Sequence, residues 1–290
     1  MIRDRALLSV CLLVLFADAA SAKPKRPPAP ARAYIETSYL IAPKTAGEFR
    51  LTRSKYDPAA KSAGAGFHYA MAEHPDVAID VFVYPAGRQE PAKALEEGLT
   101  AFRRDLAAAV TQGTYSHLDE LDHAPFVLSG DAAPAPPPAN DVDAAVLAAI
   151  ADAERMAGER LRLSLQLTSN DMPLFSNGYL FYKQLYYFKV RVSAAQQGLA
   201  QDSFDALADQ AARTLVPAIE VANIGACADA TIHIDTNDTP ERAAVELARQ
   251  ASLQLGFNCH GSANDTGLAH AADANDVVEI AYAADDWKSQ

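Results

Sequence analysis

The stretch RLRLSLQLT at residues 160–168 alternates without a break: Leu161, Leu163, Leu165 and Leu167 fall on one side, Arg160, Arg162, Ser164 and Gln166 on the other. A period of two is the mark of a β-strand with one buried face. Leu163 therefore points into a core and Arg162 points out of it, so Leu163→Asp should unfold the protein and Arg162→Ala should be mild. Upstream, DVAIDVFVYP at 76–85 repeats the pattern, with Val77, Ile79, Val81 and Val83 on one face and Ala78, Asp80, Phe82 and Tyr84 on the other. The preceding stretch, Gly66 to Ala72, is its hairpin partner across Glu73-His74-Pro75-Asp76. Downstream, residues 173–193 read as a second hairpin, with Tyr186, Phe188, Val190 and Val192 inward and Tyr187, Lys189 and Arg191 outward.

Helical spacing fills the gaps between these strands. Pro91 opens a helix whose stripe, Leu95, Leu99, Phe102, Leu106 and Val110, runs at spacings of four and three up to Gly113. Asp141 caps a second helix bearing Val142, Val146, Ile150 and Met156, with Gly158 as its stop, and Ser203 caps a third bearing Phe204, Leu207, Ala211 and Leu215 before Pro217. Hairpins with intervening helices, and no Gly-rich strand-to-helix turn, make this an α+β chain with a mainly antiparallel sheet packed against amphipathic helices. Residues 223–290 read as a small α/β unit: a strand at Ala230 to Ile234, a capping-box turn at Asp238-Thr239-Pro240-Glu241 opening a helix to about Leu255, and a strand at Val277 to Ala283.

The order hairpin, helix, strands, helix over residues 49–219 resembles the Mog1/PsbP-like layout found in many small exported proteins. DVAIDVFVYP, the long helix after Pro91 and YYFKVRVS at 186–193 carry the resemblance. It brings no catalytic motif, it departs from that layout in the 141–158 helix and the C-terminal unit, and it implies binding more than catalysis, by analogy of fold. On this basis the α+β domain spans 34–222, with an inserted Pro-rich loop at 131–140.

The N-terminus bears an address. Arg3 and Arg5 precede the apolar run Ala6 to Ala17, and Ala20-Ser21-Ala22 has the small-residue pattern of a cleavage site, so residues 1–22 read as a secretory signal and the product as periplasmic or secreted. That run is about a dozen residues, short of the roughly 20 that a spanning helix needs. Residues 23–33 follow as a basic, Pro-rich linker. Removal of the signal takes Cys11 with it and leaves Cys227 and Cys259, an even pair that an oxidising compartment would join. The net charge of the 290-residue chain is −12, and residues 195–290 carry almost all of the excess. Such a surface repels nucleic acid and anionic membrane.

No G-x-S-x-G, H-E-x-x-H, P-loop or dinucleotide fingerprint occurs, so no cofactor is expected and catalysis has no obvious carrier. The expectation is a non-catalytic binding or interaction module of the cell envelope, with an envelope protein or a small anionic ligand as partner. The alternative is a metal site or metal-dependent enzyme built on SHLDELDH at 116–123, since His117, Asp119 and His123 have suitable donors. On an extended strand the two histidines stand about 20 Å apart, so only a turn or outside ligands can assemble that site. The competing reading of the segment is a solvated acidic connection. The best ligand-binding candidates are Arg160, Arg162, Lys189 and Arg191, outward on two strands of one sheet, with Tyr187 as an aromatic wall. Like charges side by side destabilise a sheet unless something covers them. Solvent and salt, the acidic region 195–290, or a bound anion can each supply that cover.

Overall fold

The computed structural model describes residues 32–128, 137–229, 231–268, 273–283 and 286–287. The signal segment 1–22, nearly all of the linker 23–33 and most of the Pro-rich loop 131–140 lie outside the described residues.

The chain forms β1 (Thr37–Pro43), β2 (Thr45–Ala46), β3 (Phe49–Tyr56), β4 (Ala65–Met71), β5 (Ala78–Pro85) and α1 (Pro91–Thr111). Then come β6 (Tyr115–Leu128), α2 (Asp141–Glu154), β7 (Met156–Leu167), β8 (Pro173–Lys183), β9 (Tyr186–Ala195) and α3 (Gln201–Ala218). The last elements are β10 (Glu220–Ile224), α4 (Pro240–Gly256), β11 (Cys259–His260) and β12 (Asn275–Ala281). This is the expected α+β architecture. Eight strands make one antiparallel sheet in the order β2-β3-β4-β5-β9-β8-β7-β6, and four make a second in the order β11-β10-β1-β12.

The large sheet buries both faces, unequally. One face carries Phe67, Tyr69, Val81, Phe188, Val190 and Tyr179 into the main core, where they meet Phe204, Leu207, Ala211 and Leu215 of α3 and Leu40, Val221 and Ile280 of the small sheet. On the opposite face Leu161, Leu163, Leu165, Leu180 and Tyr187 pack against Leu99, Phe102 and Leu106 of the expected α1 stripe, with Leu95 at its edge and Ala94, which the spacing does not pick out, fully buried beside them. Gly178 lets α1 come this close, because a Cβ there would stand 2.5 Å from the Phe102 ring. The β8–β9 turn, Gln184 and Leu185, has positive φ at both residues without a glycine. That left-handed turn suits a hairpin but strains a leucine. Tertiary contacts hold it: Leu185 is fully buried, its carbonyl accepts the Ala86 and Gly87 amides, and the Gln184 side chain accepts the Val221 amide at 2.6 Å.

Several boundaries differ from the sequence expectation, each for a physical reason. The 115–123 segment is not a connection but the start of β6, a polar edge strand paired with β7 through two irregularities in register. Asn140, not Asp141, caps α2 by accepting the Asp143 amide, and α2 ends at Glu154, so Met156 and Gly158 open β7 instead of closing the helix. Gly158 serves packing there: a Cβ would sit 2.3 Å from the Phe181 ring. Ser203 lies inside α3, which starts at Gln201. Of the strand expected at Ala230 to Ile234, residue 230 lies outside the described residues and residues 231–234 form no strand; the strand in this region is β10, before Cys227. Thr239 caps α4 as the 238–241 pattern implies. The C-terminal segment does not stand alone, since β12 and β10 flank β1, from the other end of the chain, on its two sides.

Candidate functional site

Strand order decides what becomes of the sequence candidates. β8 lies between β7 and β9, and the registers place Leu161, Gly178 and Arg191 in one cross-strand row and Arg160, Tyr179 and Val190 in the next. Rows alternate between faces. Arg160 and Arg162 therefore point to the α3 face, while Tyr187, Lys189 and Arg191 point to the α1 face. The four cations form no common strip.

On the α3 face the cover comes from α3 itself, within the acidic region. Arg162 pairs with Asp205 at 2.5 Å, and Arg160 reaches Asp209 at 3.4 Å and Asp122 at 3.3 Å. The other carboxylate oxygens are also used: Asn177 donates to Asp205 at 2.8 Å and the Tyr179 hydroxyl donates to Asp209 at 2.6 Å. The two guanidinium Nε groups stay buried without a partner. These arginines anchor α3 to the sheet, and their charge is already answered. Tyr187, expected to be exposed, is 8% exposed and donates to the Ala94 carbonyl, with α1 lying across it.

Arg191 and Lys189 fare differently. The Arg191 guanidinium donates to the Tyr115 hydroxyl at 2.7 Å and to Ser176 Oγ at 3.3 Å, both neutral acceptors. Lys189 lies 5.0–5.6 Å from the ring centres of Phe82, Tyr84 and Phe102, with Asp105 at 3.5 Å. Burial lowers its pKa, and the Asp105 carboxylate pushes back.

The same two rows continue outward across β5, β4 and β3. One runs Arg191, Asp80, His68, Arg53; the other runs Lys189, Phe82, Gly66, Lys55. α1 packs over the β6–β8 part of this face, and the β3 part is open: Arg50, Arg53 and Lys55 are all exposed. None of the three makes an ion pair among the described residues. Asp80, the carboxylate of this half-face, is engaged by His68 at 2.9 Å. Gly66, Ala70 and Ala78 keep the floor shallow between the cations. Three strand spacings separate Arg53 from Arg191, about 14 Å. Sequence reading missed Arg50, Arg53 and Lys55 because a register shift between Leu51 and Arg53 breaks the alternation of β3. The sign that was available is the outward spacing of Arg53 and Lys55 on either side of Ser54.

The histidine cluster is not assembled by β6. His117 pairs with Asp119 at 2.7 Å, whereas His123 turns to Glu159 at 2.8 Å. Among the described residues no group of three or more His, Cys, Asp or Glu side chains is placed to hold a metal ion. Cys227 and Cys259 are bonded, with Cα atoms 5.8 Å apart, and tie the segment after β10 to β11. No described helix is long and apolar enough to cross a membrane. No protein-family model matches the chain, and no curated protein matches it.

Proposed function

We propose that the chain is a non-catalytic binding module of the cell envelope, and that the open β3–β4–β5 half-face takes an acidic segment of a partner protein. The observation that carries this reading is a shallow face on which Arg50, Arg53, Lys55 and Arg191 make no ion pair with a carboxylate among the described residues, on a chain of net charge −12. Like charges gathered on one face repel one another, and a complementary partner relieves that repulsion on binding. The roughly 14 Å between the outer and inner cations suits a ligand with several spaced charges better than a single small anion. The edge of the sheet supports a polypeptide: β2 pairs with β3 at Phe49 and Arg50, and beyond Leu51 no described strand lies on that side. An extended acidic segment can add there as a strand while its carboxylates meet Arg53 and Lys55. The disulfide is compatible with an extracytoplasmic setting.

The test is fluorescence polarisation with a labelled Glu/Asp-rich peptide at several salt concentrations. Binding that weakens as salt rises, and is lost in the Arg53→Glu/Lys55→Glu double variant but kept in Arg155→Glu, supports the reading. A peptide that ignores the protein at low ionic strength, or that binds both variants alike, ends it.

A further inference from the structure

A separate cleft of about 720 Å³ opens between the start of α1, the end of α2, the end of α4 and the β8–β9 turn. Its apolar lining includes Leu95, Met156, Tyr182, Leu253 and Phe257. Leu255 stands at its rim with 81% of its surface exposed. That size and lining are those of a ligand cleft.

Carboxylates outnumber cations around the cleft, four to three. α2 and α4 both direct their C-terminal ends to it, and neither has a basic residue in its last turn. A helix C-terminus carries partial negative charge and normally attracts a cation. α2 does the reverse, placing Asp152 and Glu154 in its last turn, at some cost to the helix. Glu90 and Glu220 complete a rim of four exposed carboxylates, none in an ion pair among the described residues. Of the cations lining it, Arg249 is bound to Glu246 at 2.8 Å and also feels the Glu90 carboxylate, while Arg155 makes no ion pair among the described residues. Lys183 shows how the neighbourhood treats an ammonium group. Its side chain draws in from the cleft wall to donate to the carbonyls of Val216, Pro217 and Ile219, at 3.0, 3.3 and 2.7 Å.

We propose that this cleft seats a protonated amine or guanidinium carried on an apolar stem: the stem lies on Leu95, Met156, Leu253 and Phe257, and the cation meets Glu90, Asp152, Glu154 and Glu220. Charge complementarity and the apolar floor select the occupant together. A neutral apolar molecule leaves the rim unanswered, and a small inorganic cation leaves the floor wet. The chemistry has two sources, a free amphiphilic amine or a Lys or Arg side chain of a partner polypeptide. This site is independent of the basic half-face.

Isothermal titration of the whole protein with octylammonium and with octanol tests the proposal. Saturable octylammonium binding at one site, with octanol at least about fivefold weaker, is expected, and Glu154→Gln/Glu220→Gln should erase that preference. Asp143→Asn, at the other end of α2, should leave it intact. A Leu/Lys amphipathic peptide that displaces octylammonium and binds more tightly identifies the polypeptide source; a peptide that fails to displace it identifies the free amine. Equal affinity for amine and alcohol, no binding of either, or a preference that survives the glutamine variants overturns the proposal.

Discussion

Removing the Arg162 guanidinium, which the alternation of β7 marks as a mild change, tests how α3 is held to the sheet, because Arg162 faces α3 and not solvent. In Arg162→Ala the Asp205 carboxylate keeps its Asn177 bond but loses its cation, in a setting where the two side chains are 27% and 18% exposed. Stripping one partner from a buried pair costs about 3–5 kcal/mol, and partial access of water reduces that to about 2 kcal/mol here. With a urea m-value of about 1–3 kcal/mol/M, the midpoint should fall by roughly 1 M. Urea unfolding of Arg162→Ala, Asp205→Ala and the double variant should give a coupling of about 1–2 kcal/mol, because the double variant no longer strands a charge. Raising salt should change the coupling little, since a half-enclosed pair is poorly screened. Arg162→Met should be milder than Ala by keeping the apolar stem in place. If Arg162→Ala unfolds within about 0.5 kcal/mol of the parent and the coupling is near zero, the pair is only a surface contact and α3 docks through its apolar side alone.

Gly178→Ala should destabilise by about 1–3 kcal/mol, because the new Cβ enters the Phe102 ring and pushes α1 off the sheet; a Phe102→Leu background should recover part of the loss in the same unfolding assay. Alkylation of the unfolded, unreduced protein should leave Cys227 and Cys259 unlabelled, and replacing both by alanine should cost about 3–4 kcal/mol on the chain-entropy model for their separation of 32 residues. Burial holds Lys183 down to about 8 from 10.5. Below pH 8 both folded and unfolded chains carry that charge. Between 8 and 10.5 the unfolded chain binds the proton more tightly, so this contribution makes stability rise with pH across that window. The rise should be absent from Lys183→Met, and identical pH profiles for the two proteins would show that the ammonium titrates normally.

What could be read from the sequence depended on whether one strand or several had to be known. The inward residues of β5, β7 and β9 and the stripe of α1 follow from local periodicity, and all four face apolar cores as expected. β1 gives no such sign: Tyr39-Leu40-Ile41-Ala42 is a continuous apolar run, because the strand sits between two neighbours and is mostly buried. β6 gives the opposite difficulty. Edge strands carry charges, irregular pairing and proline, and Asp119, Glu120, Asp122 and Pro125 therefore resemble a loop in sequence. The site depended on relations between strands. Nothing within β7 or β9 alone says that Leu161 and Arg191 share a row, so Arg162 and Lys189 looked like neighbours when a whole sheet separates them.

The pairing of β1 between β10 and β12 bears on how the molecule comes to be folded at all. Ser38 meets Asn223 on one side and Ile280 on the other, so the strand nearest the start of the chain waits for residues more than a hundred and eighty positions away. Contacts of such long reach close late and slowly, since the entropy of the intervening chain is lost before they return any stabilisation. A nascent chain lacking β12 would keep the edge of β1 bare, and would stay receptive to chaperones and proteases until β12 has emerged. The same closeness makes the fold a candidate for circular permutation: joining the chain near Arg32 to the region after Tyr282, and opening it at an exposed turn such as Glu73–His74, should give a protein in which the small sheet assembles early.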